Sequence, residues 1–249
     1  MTSETAWHED ERFWEVMGPF MFTLQSRELA LQQVELLLQL LQVPPGAHFL
    51  DMCCGPGRHA LELGRRGFRV TGVDRTLAYL QEAQDVARKE HLDIEFIQGD
   101  MRQFRRPQAF DFGLIMYTSF GFFTDPDDER RVLRNMHDSL KPGGKLLMEL
   151  LGKESLARQF RPRSWREVDG AFMLEEAEPI DGWTYIKNRW IAIKDGKAEE
   201  FQLTVRIYAA SELTTLLRQA GFARATAYGS LDGSPYDHTA GRLIVVAEK

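Results

Sequence analysis

Residues 49–74 read FLDMCCGPGRHALELGRRGFRVTGVD and carry the clearest structural signal of the chain. One apolar run ends at Asp51, Gly55 and Gly57 follow it closely, and a second apolar run ends at Asp74. Glycine lets a ligand approach the backbone, and a helix N-terminus offers free N–H groups with partial positive charge. The stretch therefore predicts a strand, a ligand-binding turn, a helix and a second strand.

The composition is that of a globular domain: of 249 residues, 43% are hydrophobic and 27% are charged. The formal net charge of -6 argues against a large nucleic-acid-binding face. The two cysteines, Cys53 and Cys54, are neighbours without a histidine at zinc spacing, so we expect neither a disulfide framework nor a metal site. We expect a cytoplasmic protein without a membrane span, because the N-terminus lacks a signal-type apolar core and the longest apolar run is too short.

Short apolar runs alternate with helical patterns between residues 46 and 151. This order is typical of a parallel sheet that helices cover on both faces. The predicted strands are 47–52, 68–74, 93–98, 110–117 and 143–150. The predicted helices are 57–66, 76–90 and 126–140. The fold class is therefore α/β, with a Rossmann-like, doubly wound sheet.

Residues 1–45 are expected to form an N-terminal helical cap. Residues 26–42 predict a helix that begins with Ser26 as its N-cap. Residues 7–22 mix aromatic and charged side chains at helical spacing and predict a helix packed on the body of the protein. A mobile lid is the alternative for this segment.

Residues 152–210 break the alternation and are expected to form an insertion. Apolar and polar residues alternate here, and Asp-Gly pairs at 181–182 and 195–196 indicate hairpin turns. We therefore predict a three-stranded antiparallel meander between 165 and 208, acting as a substrate lid or a dimer surface.

Residues 211–249 are expected to return to the main domain, which would comprise 46–151 and 211–249. A helix from Ser211 to Gly221 and strands at 222–229 and 241–247 complete the prediction.

Two cofactors fit a glycine turn of this kind. The run from Gly55 to Ala60 matches the dinucleotide fingerprint, with Asp74 as the ribose-binding acid. A pyrophosphate at a helix N-terminus is disfavoured by a neighbouring carboxylate, however, and Asp51 lies just before the turn. An ammonium or sulfonium group suits that acid. The residues therefore favour S-adenosylmethionine over NAD, with an NAD-dependent oxidoreductase as the alternative.

Several motifs, in order along the chain, resemble those of the class I S-adenosylmethionine-dependent methyltransferases of the small-molecule type. DMCCGPG at 51–57 resembles their first motif, acid-x-G-x-G-x-G, with Cys53 in place of the first glycine. GDMR at 99–102, FDFGLIMYTSFGFF at 110–123 and LKPGGKLLMEL at 140–150 resemble later segments of the family. The resemblance implies a seven-stranded, mostly parallel sheet whose last strand is antiparallel, with S-adenosylmethionine as cofactor.

By this resemblance, one group of residues would bind the methionine part of the cofactor. Asp51 would face its amino end, and Gly55 and Gly57 would make room for it. Tyr117 would offer its backbone carbonyl oxygen to the ammonium group. Arg27 could pair with the carboxylate, as an arginine before the first strand does in some relatives.

A second group would bind the adenosine part. Asp74 would hold the ribose hydroxyls, and we expect Arg75 beside it to bind the cofactor as well. Asp100 would take the adenine amino group, with Met101 packing on the ring.

The sequence indicates the methyl acceptor and a general base less directly than it indicates the cofactor. Methyl transfer from a sulfonium needs alignment and exclusion of water, and a general base only if the acceptor arrives protonated. His238 and Tyr236 are the candidate bases. The lack of an NPPY-like motif at 116–120, with the acidic charge, disfavours DNA. We expect a small-molecule acceptor, methylated on nitrogen or oxygen by a monomer or homodimer. An RNA or protein acceptor, or a non-catalytic module that binds S-adenosylmethionine, is the alternative.

Overall fold

The computed structural model describes residues 6–249 and contains two β-sheets. The strands are β1 (His48–Met52), β2 (Arg69–Asp74), β3 (Ile94–Gln98), β4 (Phe110–Ile115), β5 (Leu140–Leu150), β6 (Arg163–Val168), β7 (Ala171–Ile180), β8 (Tyr185–Lys194), β9 (Lys197–Arg206), β10 (Arg224–Tyr228) and β11 (Leu243–Glu248). The first sheet has seven strands in the order β10-β11-β5-β4-β1-β2-β3, and β11 runs antiparallel to both of its neighbours. This confirms the predicted α/β fold with a mostly parallel sheet and an antiparallel last strand.

Helices cover both faces of this sheet. The helices of the described residues are α1 (Glu11–Met21), α2 (Leu24–Leu41), α3 (Arg58–Arg65), α4 (Leu77–Lys89), α5 (Pro126–Ser139), α6 (Lys153–Gln159) and α7 (Ala210–Gln219), preceded by a single 3-10 turn at Trp7–Glu9. Side chains alternate along β1, so Leu50 packs in a core with α5 and α7, whereas Phe49 packs in a second core with α2 and α3. Because both faces of the strand are apolar, only its end is free for a ligand.

The second sheet corrects the prediction for the insertion. It has four antiparallel strands in the order β6-β7-β8-β9, where the sequence analysis expected three. The missed strand is β6, which turns into β7 at Asp169 and Gly170, a third Asp-Gly pair. Both residues have positive φ (50° and 76°), as a tight hairpin turn requires.

Two helix starts also differ from the prediction. α2 begins at Leu24 and is capped by Thr23, whose Oγ1 accepts the N–H of Ser26 at 3.2 Å. α7 begins at Ala210, where the carboxylate of Glu212 accepts the N–H of Ala209 at 2.8 Å. Ser26 and Ser211 therefore lie inside their helices, because the capping bonds are made by neighbours that the spacing alone did not distinguish.

The N-terminal segment and the insertion share a third core above the main sheet. Phe13, Met17 and Phe20 of α1 are buried against Met173 and Leu203 of the insertion sheet. Residues 7–22 thus form a packed helix with a 3-10 turn ahead of it.

The insertion is fixed to the main domain at Gly121. Its carbonyl oxygen accepts the N–H of Arg206 at 2.7 Å, and its φ is +98°. A Cβ added at Gly121 would collide with the carbonyl oxygen of Arg206. Gly143 offers a matched comparison, because it also has positive φ (+76°) but no atom within 4 Å of an added Cβ.

Gly121→Ala is therefore expected to destabilise the protein more than Gly143→Ala. Both substitutions force alanine into a left-handed conformation at a cost of roughly 1 kcal/mol, and the collision adds about 1–3 kcal/mol at Gly121 alone. Urea unfolding of both variants measures the difference in free energy of unfolding. Equal losses would contradict this role of Gly121.

Candidate functional site

A cavity of about 540 Å³ opens at the carboxyl ends of β1, β2 and β4. Four parts of the chain line it: the strand ends with the loops after them, the N-terminal helices, the α6 segment and one face of the insertion sheet. This is the place where open α/β sheets bind ligands, and the size is that of a small-molecule site.

The turn after β1 has a left-handed backbone at three positions. Cys53, Gly55 and Gly57 have φ of 60°, 56° and 77°. This explains why the motif that DMCCGPG resembles has glycine where this chain has Cys53, since a side chain in a left-handed conformation strains the backbone by about 1–2 kcal/mol. Gly57 does not line the cavity; a Cβ there would lie 3.0 Å from Ala83 and 3.2 Å from Phe96. Its glycine thus allows close packing of α3 and not ligand access, whereas Gly55 lines the cavity.

Asp74 holds this turn in place. Its carboxylate accepts the N–H of Gly55 and the N–H of Thr76, both at 2.8 Å. Burial raises the pKa of Asp74 above its ordinary value, and the hydrogen bonds from Thr76 and Gly55 partly oppose that shift. Each carboxylate oxygen keeps acceptor capacity for a ligand hydroxyl.

Asp51 is the most unusual group in the cavity. Its side chain is buried, and its Oδ2 has no hydrogen-bond partner within residues 6–249. Burial raises its pKa to about 7, although the charge of Arg58 opposes the shift. A buried carboxylate with an unsatisfied oxygen is costly for the protein alone, so the site fits a ligand that brings a cationic group.

Arg58 is a cavity residue that the sequence analysis did not assign. It is buried, its guanidinium lies 4.2 Å from the centre of the Tyr117 ring, and its Nη1 donates to the carbonyl oxygen of Ser26 at 3.4 Å. Arg27 instead lies outside the cavity and pairs with Glu82 at 2.5 Å on the surface. The available signal for Arg58 was its position directly after Gly57, at the start of α3.

The loop after β4 is strained at the edge of the cavity. Tyr117 and Thr118 both have left-handed backbones, with φ of 59° and 65°. The Oγ1 of Thr118 accepts the N–H of Leu151 and a guanidinium N–H of Arg242, both at 3.0 Å. These bonds hold the strained loop beside Arg58, as is common at ligand sites.

The opposite end of the cavity contains Asp100 and Met101. The Oδ1 of Asp100 accepts the backbone N–H of Arg102 at 2.8 Å, and its Oδ2 accepts Nη2 of Arg102 at 2.5 Å. Burial alone would raise the pKa of Asp100, but the bonds to Arg102 outweigh it and lower the pKa. Arg75 adds a contact at 3.3 Å, and Met101 is buried beside Cys53.

The two candidate bases are not brought to this cavity. The hydroxyl of Tyr236 donates to Glu154 at 2.9 Å, and the backbone carbonyl of His238 accepts from Arg158. Neither side chain lines the cavity. Both lie in the loop before β11, which α6, a helix absent from the sequence prediction, holds in place through Glu154 and Arg158.

The insertion contributes the polar groups farthest from the glycine turn. Glu175 accepts the hydroxyl of Ser164 at 2.8 Å and lies 3.5 Å from Arg166. Asn188 and Trp190, on the neighbouring strand, also line the cavity. This end of the cavity therefore offers a ligand the carboxylate of Glu175, the guanidinium of Arg166 and the amide of Asn188, next to the Trp190 ring.

Two negative findings apply to residues 6–249. No cluster of three or more His, Cys, Asp or Glu side chains is arranged to hold a metal ion. None of the helices there has the length and apolarity needed to cross a membrane.

Comparison with known proteins identifies the class of this domain. A family model described as a methyltransferase domain matches residues 49–144. A protein of Geobacillus sp. (strain WCH70) that bears the name of a methyltransferase is 33% identical over 101 residues, and the match covers 41% of each protein. The CcbJ methyltransferase from Streptomyces caelestis has a similar structure, with a TM-score of 0.74 at 16% identity over 87% of this chain and 88% of that one. So does S-adenosylmethionine-bound CalS10, an amino pentose methyltransferase from Micromonospora echinaspora, with a TM-score of 0.63 at 21% identity over 89% and 90%.

Residues 49–144 are therefore a methyltransferase domain, and they lie within the fold of the class I S-adenosylmethionine-dependent methyltransferases. The family resemblance seen in the sequence is thereby confirmed for residues 49–144 and for the fold.

The pKa of Asp51 leads to a prediction about ligand binding. S-adenosylhomocysteine, the product of methyl transfer from S-adenosylmethionine, carries an ammonium group that an ionised Asp51 would favour and a protonated Asp51 would not. Because the pKa is about 7, affinity should fall roughly tenfold between pH 8 and pH 6. Calorimetry at the two pH values measures this.

Asp51→Asn provides the control, because the amide keeps the shape of the side chain and cannot titrate. The variant should bind S-adenosylhomocysteine weakly and almost independently of pH over this range. An unchanged pH dependence in Asp51→Asn would assign the titration to another group.

Proposed function

We propose that the protein transfers a methyl group from S-adenosylmethionine to a nitrogen or oxygen nucleophile of a small molecule. One observation carries the proposal: the buried carboxylate of Asp51, whose Oδ2 has no partner among the described residues, lines a cavity that continues under the insertion into an aromatic chamber, walled by Trp14, Phe160 and Trp190 among others. The first feature fits the charged end of the cofactor, and the second fits an acceptor of limited size.

The residues in and around the glycine turn have separate roles in this proposal. Asp51 and Arg58 hold the ammonium and carboxylate of the methionine part, and the backbone carbonyl of Tyr117 supports the ammonium. Asp74 accepts from the ribose hydroxyls with the acceptor capacity left by its bonds to Gly55 and Thr76.

The adenine end completes the cofactor site. Met101 packs on the base, while Asp100 and Arg75 form the charged border of that end. This assigns every predicted cofactor-binding residue except Arg27, whose guanidinium pairs with Glu82 instead, and Gly57, which packs against Phe96.

The chain contributes alignment and exclusion of water to the reaction. When bound, the cofactor supplies a methyl group already activated by positive charge on sulfur. Phe160 and Trp190 belong to the apolar wall that would keep water from the acceptor. Alignment of two bound reactants accounts for a large part of such a rate enhancement, so no catalytic triad is needed.

The enclosure of the chamber supports a small acceptor over RNA, DNA or protein. The N-terminal helices and the insertion sheet both stand over the strand ends and meet in a shared core. A similar fold occurs in CalS10, whose acceptor is an amino pentose. We therefore propose amines and hydroxyl compounds of about sugar size as acceptors. Free thiols at Cys53 and Cys54 support a reducing compartment, the cytoplasm.

The assay is release of S-adenosylhomocysteine from S-adenosylmethionine with two panels of acceptors. One panel holds aminosugars, small amines and hydroxylated aromatics; the other holds RNA, DNA and unfolded protein. We expect turnover with members of the first panel, each yielding one methylated product per S-adenosylhomocysteine. Turnover with the second panel only would overturn the acceptor class. Cofactor binding without any turnover would support a non-catalytic module, and binding and reduction of NAD would support an oxidoreductase.

Neighbouring glutamates give a matched pair for the acceptor site. Glu175 lines the cavity, whereas Glu176 pairs with Arg189 on the opposite face of the strand. Glu175→Gln should raise the KM for the acceptor several-fold and leave the affinity for S-adenosylhomocysteine unchanged. Glu176→Gln should change neither constant. Equal effects of the two variants would place the acceptor elsewhere.

A further inference from the structure

The N-terminal segment is attached to the adenine end of the cavity by a charged network. The Oε1 of Glu9 lies 2.6 Å from Nη2 of Arg102 and 3.3 Å from Nη1 of Arg75. Both arginines also contact Asp100, at 2.5 and 3.3 Å. The residue before Glu9 is therefore held near the carboxyl end of β3.

That residue, His8, is buried in the cavity wall without a hydrogen-bond partner. Its exposed fraction is 8%, and it packs against the rings of Trp7, Phe122 and Phe123. Neither ring nitrogen forms a hydrogen bond with any described residue. A histidine that served only to fill a core would be expected to satisfy at least one of these atoms.

The charge state of His8 leaves one nitrogen as an acceptor. Burial lowers the pKa of His8, and the charges of Arg102 and Arg75 lower it further, against the opposing effect of Glu9 and Asp100. The ring is thus neutral at neutral pH. The carboxylate of Glu9 lies 3.8 Å from Nε2 and favours the proton on that nitrogen, so Nδ1 keeps a free lone pair.

Asp100, in contrast, has little acceptor capacity left. The backbone N–H and the Nε of Arg102 donate to its Oδ1 at 2.8 and 3.0 Å, and Nη2 donates to its Oδ2 at 2.5 Å. Binding an adenine amino group at Asp100 would require part of this chelation by Arg102 to be given up. His8 lines the same part of the cavity, and both of its ring nitrogens lack a hydrogen-bond partner among the described residues.

We propose that His8 recognises the 6-amino group of the cofactor's adenine, with Nδ1 accepting its N–H, while Asp100 acts through Arg102 and Glu9 to hold the N-terminal segment over the base. The inference rests on the S-adenosylmethionine site proposed above. It makes the N-terminal segment part of the cofactor site and assigns Asp100 a positioning role.

Two ligands and two substitutions test this directly by calorimetry. S-inosylhomocysteine differs from S-adenosylhomocysteine in having an oxo group in place of the 6-amino group. His8→Phe keeps an aromatic ring among the neighbouring rings but cannot accept a hydrogen bond, and His8→Gln keeps an acceptor oxygen.

The wild-type protein should prefer S-adenosylhomocysteine over S-inosylhomocysteine by about tenfold, the value of one buried hydrogen bond. His8→Phe should bind S-adenosylhomocysteine about tenfold more weakly and should not distinguish it from S-inosylhomocysteine. His8→Gln should retain much of the affinity for S-adenosylhomocysteine and much of the preference for it. Unchanged affinity and preference in His8→Phe would overturn the proposal. So would loss of the preference in Asp100→Asn together with its retention in His8→Phe.

A second measurement does not depend on the folding of any variant. In the wild-type protein, the nitrogen NMR signal of His8 Nδ1 should shift on binding S-adenosylhomocysteine and much less on binding S-inosylhomocysteine. Equal shifts with both ligands, or none, would contradict recognition of the amino group. Failure of the wild-type protein to bind S-adenosylhomocysteine at all would instead contradict the proposed function.

Discussion

The hydrogen bonds that Asp74 accepts from Gly55 and Thr76 join the ends of two neighbouring strands. They fix the left-handed turn after β1, so that α3 begins beside the cavity and Arg58, its first residue, is directed toward Tyr117. Without this link no side-chain hydrogen bond would hold the glycine backbone of the turn beside Asp51. The proposed cofactor cleft therefore depends on one acid that both fixes the turn and is a candidate ribose ligand.

A second constraint is the coupling of the N-terminal segment to the insertion. Neither α1 nor the second sheet has a complete apolar core by itself, and each covers the other through Phe13, Met173 and Leu203. The aromatic chamber exists because these two remote parts of the chain meet over the strand ends. The segment also brings Glu9 to the arginines around Asp100. One short stretch of sequence thus connects the closure of the chamber to the proposed adenine end of the cleft.

The sequence was sufficient for features that depend on local pattern. Apolar runs and their spacing predicted the strands of the main sheet and its helices apart from α6, and the acids at the ends of β1 and β2 indicated where the cavity opens. Hairpin chemistry predicted three of the four insertion strands; the fourth was indicated by Asp169-Gly170 but was not recognised. Helix starts were less accurate, since Thr23 and Ser26 are equally good caps until the backbone geometry is known.

Features that depend on tertiary assembly could not be predicted in the same way. Arg27 lies near the start of α2 and Arg58 at the start of α3, and the packing of these two helices leaves Arg27 outside the cavity and Arg58 inside it. Tyr236 has the chemistry of a base, but its hydroxyl is bound to Glu154 on a helix that the sequence did not reveal. The sequence pattern did not single out His8, and its isolation from hydrogen-bond partners depends on the rings of Phe122 and Phe123, which lie more than a hundred residues away along the chain.

The central claim is that the clamped turn is an S-adenosylmethionine site, and calorimetric titration of ligand-free protein tests it most directly. S-adenosylhomocysteine and NAD are titrated into the wild-type protein and into Asp74→Ala, with Asp85→Ala, an exposed acid of α4 paired with Arg88, as the control. The account predicts binding of S-adenosylhomocysteine to the wild type and the control, at least about tenfold weaker binding to Asp74→Ala, and no binding of NAD. Binding of NAD in its place, or equal affinity of Asp74→Ala for S-adenosylhomocysteine, would contradict it.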